Sequence, residues 1–144
     1  MKLLPWMAFL LALFVLSACV LQDDSAERQA ELAAFAPVQT MLEKNCVHCH
    51  GDQRLSTMPS IHDSKALDAL IREGGWVTPG KPEASRLYQV VSFADQVPGA
   101  MPPTGHAIRR DEKHVLSEWI RKGAKVPRGR SIRFVVRGEI PRSS

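Results

Sequence analysis

The sequence has few aromatic residues for its length. Its 144 residues include five Phe, one Tyr and three Trp, and one of the tryptophans, Trp6, lies near the N-terminus. If residues 1–18 are a targeting segment and residues 19–35 a tether, about 110 residues remain for one domain. A core of that size is short of large side chains, and a bound hydrophobic group would supply much of the missing interior.

Cysteine is also scarce, and the three cysteines do not indicate a disulfide framework. Cys46 and Cys49 are so close in sequence that a bond between them would close a small loop and contribute little stability. The third, Cys19, follows residues 16–18 (Leu-Ser-Ala), and these four residues resemble a bacterial lipobox, in which signal peptidase cleaves before a lipidated cysteine. Each cysteine therefore has a use other than a disulfide.

The N-terminal residues are typical of an export signal. Lys2 precedes an apolar run, residues 3–16, that is shorter than the ~20 residues a membrane-spanning helix needs. We expect a lipoprotein signal peptide at residues 1–18, a lipid on Cys19 and a tether at residues 19–35. A plain signal peptide or an uncleaved short anchor would export the domain as well. Val20 is not the aspartate that retains many lipoproteins at the inner membrane, which favours a periplasm-facing outer-membrane anchor in a Gram-negative source.

Apolar spacing predicts an all-α domain with about four short helices. The expected helices are at about Pro37 to Asn45, from an Asp63 or Ser64 cap to Gly74, at about Pro82 to Ser92, and from about Asp111 to Gly123. Residues 97–105 are too rich in proline and glycine for a regular element and predict a shaped loop. Residues 132–136 alternate as a strand does, but one strand cannot form a sheet, so residues 127–144 are expected to be a loosely packed basic tail.

Residues 46–50 read Cys-Val-His-Cys-His, the spacing for c-type haem attachment. Two thiols one helical turn apart can add to the two vinyl groups on one edge of the porphyrin, and His50 then points at the iron. A thioredoxin-like redox pair would need a βαβ context that the periodicity does not offer. A structural zinc site would need two more ligands at matched spacing, and the other histidines form no second paired motif.

The sixth iron ligand is expected to be Met101, because Pro102 and Pro103 stiffen its loop and a thioether needs a rigid holder. Met58, with Pro59 after it, lies only eight residues beyond His50 and would have difficulty reaching the opposite haem face. A further alternative is that no side chain fills the sixth coordination position of the iron. The remaining candidates are His62, His106 and His114.

The chain resembles a class I c-type cytochrome domain over roughly residues 36–126. The resemblance is carried by four segments: 46–51 (Cys-Val-His-Cys-His-Gly), 79–87 (Pro-Gly-Lys-Pro-Glu-Ala-Ser-Arg-Leu), 101–103 (Met-Pro-Pro) and 119–124 (Trp-Ile-Arg-Lys-Gly-Ala). It implies a cytochrome c-like helical bundle around one covalently bound haem c. It also implies that His50 is the proximal ligand, Met101 the distal one, and that the first and last helices cross beside the haem.

This ligand set predicts an electron carrier rather than an enzyme, because two protein ligands leave the iron no open position. The alternative is a haem-based enzyme or ligand sensor in which Met101 dissociates. A structural lipoprotein with a chance Cys-His motif is a third reading. The expected partners are a redox protein or a membrane respiratory or dehydrogenase complex, reached from a lipid anchor on Cys19.

Positive charge is concentrated at the C-terminal end. From Arg121 onward there are eight basic residues and one acidic residue, whereas residues 20–120 contain ten basic and fourteen acidic residues. Such an end would favour docking to an acidic redox partner or to anionic head groups, and a solvated tail is the alternative. Nucleic acid is not expected as a partner of an exported, tethered chain.

Overall fold

A computed structural model describes residues 4–52, 57–93, 97–103 and 107–136, with side chains from Asp24 onward. Its helices are α1 (Leu4–Asn45), α2 (Val47–His50), α3 (Ser64–Glu73), α4 (Arg86–Ser92) and α5 (Arg110–Arg121), with a 3₁₀ turn at Pro82–Ala84. Within the described ranges there is no strand, only an isolated antiparallel bridge between Asp63 and Arg133. The chain is therefore mostly helical, in agreement with the predicted all-α class.

The chain divides into two compact units, Met1–Ala34 and Phe35–Ser144. The second unit contains the Cys-His motif and the loop with Met101. The expected roles of residues 1–18 as a signal peptide and of residues 19–35 as a tether stay predictions.

The expected start of the first helix was wrong. We predicted a helix from about Pro37, but α1 begins at Leu4 and contains Pro37 in its interior. Proline lacks the N–H that a residue inside a helix donates. Pro37 was therefore assigned to the first turn, where that N–H is not needed. Residues 26–34 consist mainly of alanine, glutamate, glutamine and other strong helix formers, so the helix extends through them. The predicted end at Asn45 is confirmed.

The second and fourth predicted helices are confirmed as α3 and α5. The carboxylate of Asp63 caps α3 by accepting a 2.7 Å hydrogen bond from the Ala66 N–H. At the start of α5, the side chain of Glu112 reaches back to the Arg109 N–H at 3.1 Å. A complete capping box would also need the Arg109 side chain to accept a bond from the Glu112 N–H. A guanidinium has no acceptor, so only half of the box forms. Gly123, with φ +98°, follows the last turn of α5, a conformation that favours glycine.

The third predicted helix is divided in two. A 3₁₀ turn ends at Ala84 and α4 begins at Arg86, because the backbone of Ser85 is extended. The Ser85 side chain is fully buried. Its hydroxyl accepts a 2.9 Å bond from the Thr78 N–H and donates a 2.9 Å bond to the Lys81 carbonyl. These bonds tie the preceding loop to the start of α4, which a continuous helix would not allow.

The core is formed by the apolar faces of the helices in the second unit. Phe35 of α1 lies 6.4 Å from Trp119 of α5 between ring centroids, and Lys44 of α1 pairs with Glu112 of α5 at 2.8 Å. The first and last helices are therefore in contact. Most residues at the apolar positions of the predicted helices are buried, and Cys46, Ile71 and Val115 are only partly buried against the same core. The buried ones are Val38, Met41, Leu42, Leu67, Leu70, Leu87, Val90, Val91, Leu116, Trp119 and Ile120.

The expectation of a loosely packed tail does not hold for residues 131–136, which we call the C-terminal segment. Phe134 is 4% exposed and lies 6.1 Å from Phe35 between ring centroids. The backbone of Ile132 exchanges hydrogen bonds with Ser64 at the start of α3. The hydrophobic core therefore extends beyond residue 126, the expected end of the domain. Residues 137–144, with Arg137 and Arg142, lie outside the described residues.

Candidate functional site

The Cys-His motif forms a single turn of helix directly after α1. The Cys46 N–H donates to the Leu42 carbonyl at 2.8 Å, and the Cys46 carbonyl accepts bonds from Cys49 at 3.2 Å and from His50 at 2.9 Å. Residues three and four positions apart lie on one face of a helix. Both thiols are free; Cys46 is partly buried and Cys49 is exposed. The turn therefore presents two sulfurs and an imidazole from one short element.

The protein environment keeps the Cys46 thiol protonated. Burial, with smaller contributions from the nearby Cys49 and Glu112, raises its pKa from 9.0 to about 12. A redox-active Cys-x-x-Cys pair needs a reactive thiolate, which a lowered pKa provides. The environment of Cys46 has the opposite effect, which weakens the thioredoxin-like alternative.

His50 is oriented by the segment that follows the motif. Its Nδ1 lies 3.0 Å from the carbonyl oxygen of Pro59, and its own carbonyl accepts a 2.7 Å hydrogen bond from the Ile61 N–H. A carbonyl can only accept, so Nδ1 carries the proton and Nε2 keeps its lone pair. A histidine held in this way is prepared to bind a metal through Nε2.

Gly51 allows the chain to turn away immediately after His50. A Cβ atom at this position would lie 2.5 Å from the Val47 carbonyl oxygen, closer than real contacts permit. The close approach of two backbone segments therefore requires glycine here.

Met101 lies in the loop after α4. Its N–H donates to the Val90 carbonyl at 2.8 Å, which ties the loop to α4, and Pro102 follows it. Met101 is 38% exposed, and two other large apolar side chains near it in sequence, Phe93 and Val97, are 42% and 45% exposed. All three side chains are therefore partly open to solvent.

The other candidate ligands have different surroundings. The Nδ1 atom of His62 is 2.6 Å from the Ser60 hydroxyl, and its Nε2 is 3.7 Å from a carboxylate oxygen of Asp63. His114 is exposed on α5, Met58 is half-buried, and His106 lies outside the described residues. Among the residues that the structure describes, no group of three or more His, Cys, Asp or Glu side chains is arranged to hold a metal ion.

The structure brings together Cys46, Cys49 and His50 but places Met101 on a separate element. Cys19 lies within α1, in the part for which only the backbone is described. Among the described residues, no helix is long and apolar enough to cross a membrane.

Two features of this site have no clear signal in the sequence. One is the Pro59 carbonyl, since a backbone acceptor has no residue-type signature and Pro59 drew attention only as the neighbour of Met58. The other is Glu112, whose carboxylate lies close enough to Cys46 to affect its pKa. The only signal for Glu112 was its place in the first turn of a predicted helix.

Comparison with known proteins found no relative of this chain. No protein family, no curated protein and no solved structure matches this chain.

Proposed function

We propose that this chain is an electron-transfer c-type cytochrome with one covalently bound haem c, His50 as proximal iron ligand and Met101 as distal ligand. The observation that carries the proposal is the Cys46–His50 turn, in which two free thiols precede a histidine whose Nδ1 is engaged by the Pro59 carbonyl at 3.0 Å. That arrangement leaves Nε2 as the nitrogen available to the iron.

The chemistry of the described residues fits a haem attached in this way. Each thiol would add across one vinyl group, the sulfur bonding to one carbon and the proton going to the other, so that no oxidant is needed. Phe93, Val97 and Met101, all partly exposed, supply apolar surface that a porphyrin face would cover. When bound, the haem would supply an iron that cycles between Fe(II) and Fe(III).

The protein's own residues would hold and tune that group. His50 would bind through Nε2 while its Nδ1–H stays on the Pro59 carbonyl, which fixes the ring and raises the basicity of the ligand. Met101 would bring a weak thioether ligand from a loop tied to α4 at Val90. With both positions filled by the protein, small molecules are excluded from the iron, so we propose no enzymatic activity.

The proposal includes an exported, periplasm-facing location with a lipid on Cys19, and a redox protein or membrane respiratory or dehydrogenase complex as partner. The charge distribution supports docking to an acidic partner. Among the described residues, six basic side chains at and after the end of α5 are exposed: Arg121, Lys122, Lys125, Arg128, Arg130 and Arg133. A concentration of one sign of charge steers association with the opposite sign.

The test is a comparison of oxidised and reduced absorption spectra of the full chain, matured in a host with haem-attachment machinery. We expect covalent haem in the wild type and a far-red methionine-to-iron band in the oxidised form. Met101→Ala should lose that band because the thioether is gone. Met58→Ala, which removes the other methionine followed by proline, should keep it.

Two results would contradict the proposal. Absence of covalent haem in the wild type would exclude a c-type cytochrome. Survival of the far-red band in Met101→Ala, or ready binding of carbon monoxide to the reduced wild type, would show that Met101 is not a firm ligand. The second result favours a haem-based enzyme or sensor.

A further inference from the structure

We propose that the C-terminal segment (residues 131–136) positions the proximal histidine by holding the backbone acceptor of His50 in place. This inference rests on the proposed function for the role of His50. The C-terminal segment follows the last helix and belongs neither to the haem motif nor to the loop that contains Met101.

The first step of the argument is the contact between His50 and residues 59–64, which we call the acceptor segment. The Pro59 carbonyl lies 3.0 Å from His50 Nδ1, and the Ile61 N–H donates to the His50 carbonyl at 2.7 Å. Ile61 is 3% exposed, which fixes this part of the segment in the core. The position of the acceptor segment therefore determines the orientation of the His50 ring.

The second step is that the C-terminal segment holds the far end of the acceptor segment. Ser64 and Ile132 exchange two hydrogen bonds of 2.9 Å, one from the Ser64 N–H to the Ile132 carbonyl and one from the Ile132 N–H to the Ser64 hydroxyl. The Phe134 N–H donates to the His62 carbonyl at 3.0 Å. Backbone pairing of this kind sets the register of the two segments.

Side chains strengthen the same pairing. The Ser131 hydroxyl donates to a carboxylate oxygen of Asp63 at 2.8 Å, and Arg133 forms an ion pair with Asp52. Asp52 lies two positions after His50. The C-terminal segment thus contacts the chain just after the motif and again at the acceptor segment.

The third step is that the C-terminal segment is itself anchored on α1. The ring of Phe134 is buried against Phe35, with centroids 6.1 Å apart. The Val135 N–H donates to the buried carboxylate of Glu43 at 3.4 Å. The motif turn begins where α1 ends, so one helix anchors both the histidine and the segment that holds its acceptor.

A role in positioning differs from a role in general stability. If residues 131–136 only add packing, weakening them lowers the stability of the whole unit equally. If they position the acceptor segment, weakening them loosens the contacts of His50 before the rest of the unit opens. A weaker bond from Nδ1 to Pro59 also makes the imidazole less basic, which disfavours Fe(III) and raises the reduction potential.

The experiment compares Phe134→Leu with Val135→Ala in the haem-loaded full chain. Leucine keeps an apolar group but leaves the contact with Phe35 incomplete, whereas the Val135 side chain is 59% exposed and its backbone N–H survives the change. Hydrogen exchange is followed by NMR at the His50 Nδ1 proton and the Ile61 amide, with the Leu116 amide in α5 as the reference. The reduction potential is measured on the same samples.

In Phe134→Leu we expect about tenfold faster exchange at His50 and Ile61 than in the wild type, an unchanged rate at Leu116, and a higher reduction potential. Val135→Ala should match the wild type in all four readouts. Equal acceleration at all three protons, or no acceleration at His50 and Ile61, would overturn the inference.

Two further measurements separate the possible failures. If Phe134→Leu does not fold, Arg133→Gln replaces it, with exposed Arg130→Gln as its control, and the same readouts apply. If the wild type carries no haem, the proposed function fails, but the Ile61 amide still reports on the contact with His50. An Ile61 exchange rate that is insensitive to Phe134 or Arg133 would then overturn the positioning role by itself.

Discussion

Trp119 joins the last helix to the first through its ring, and to the chain just after α5 through its indole N–H. The ring is 7% exposed and packs near Phe35, and Nε1–H donates to the Lys125 carbonyl at 2.8 Å. That bond fastens the chain just after α5. A buried tryptophan with a satisfied N–H contributes both apolar area and a hydrogen bond.

Trp119→Phe should therefore lower the free energy of unfolding by about 2 kcal/mol, because ring volume and the bond to Lys125 are both lost. The matched control is Trp76→Phe, since Trp76 is only half-buried and lies under the Arg86 guanidinium at 5.5 Å. We expect that change to cost under about 1 kcal/mol. Urea unfolding followed by circular dichroism measures both, and equal losses would refute the assigned role of Trp119.

At the same scale, sequence reasoning identifies reactive atoms better than it identifies their partners. Cys46, Cys49 and His50 are singled out because two thiols and an imidazole at this spacing are typical of haem attachment. The partner of His50 is a main-chain oxygen, which every residue possesses. No residue pattern encodes such a partner directly.

Asp63 illustrates how one side chain stabilises an element and its neighbour together. One carboxylate oxygen caps α3 through the Ala66 N–H, and the other accepts from Ser131. Burial by itself raises the pKa of this carboxyl. The bonds from Ala66 and Ser131, the charge of His62 and the Lys65 N–H outweigh burial, so the pKa is lowered.

Asp63→Ala should cost about 1–2 kcal/mol of unfolding free energy, because the helix cap and the bond from Ser131 are both lost. Asp63→Asn keeps an oxygen for the Ala66 N–H and should cost less. Asp68→Ala, on the same helix, is the control, since its 3.0 Å pair with Arg72 is largely exposed and worth a few tenths of a kcal/mol. If thermal unfolding shows the same loss of stability for Asp68→Ala and Asp63→Ala, the helix cap is not the cause of the loss.

Among the elements, α3 and α5 could be predicted because capping residues and apolar spacing agree within a few positions. The start of α1 could not, because a proline ordinarily marks a helix start and here lies inside one. The division of the third helix depends on the Ser85 hydroxyl bonding to Thr78 and Lys81. These contacts lie outside the local window from which a helix is predicted.

For the molecule as a whole, acid should weaken the contact between α1 and α5. Burial raises the pKa of Glu112, but bonds from Lys44, the Arg109 N–H and Asn45, together with the charge of Lys44, lower it below its ordinary value of 4.5. The unfolded chain then binds protons before the folded chain does. The stability that Glu112 contributes is therefore fully present above pH 4.5 and is lost as the pH falls through the folded-state pKa.

Glu112→Gln should lower the free energy of unfolding by about 1–2 kcal/mol at neutral pH, and the difference from wild type should shrink below pH 4.5. Asp111→Asn is the control, because its pair with Arg109 is exposed and contributes little. Urea unfolding at several pH values between about 3 and 7 measures the free energy of unfolding of all three proteins. A difference between wild type and Glu112→Gln that stays constant over that range would contradict the assignment.

The sequence by itself determined the mostly helical class and the approximate positions of α3 and α5, and it is the source of the proposal that Cys46, Cys49, His50 and Met101 hold a haem. It could do so because helix periodicity, caps and the Cys-His spacing are local properties of the chain. Only the tertiary structure decided that Pro59 orients His50, that Glu112 affects the pKa of Cys46, and that residues 131–136 pack on α1 and the start of α3. Those contacts join residues far apart in sequence or use backbone atoms, and such contacts form only when the core assembles.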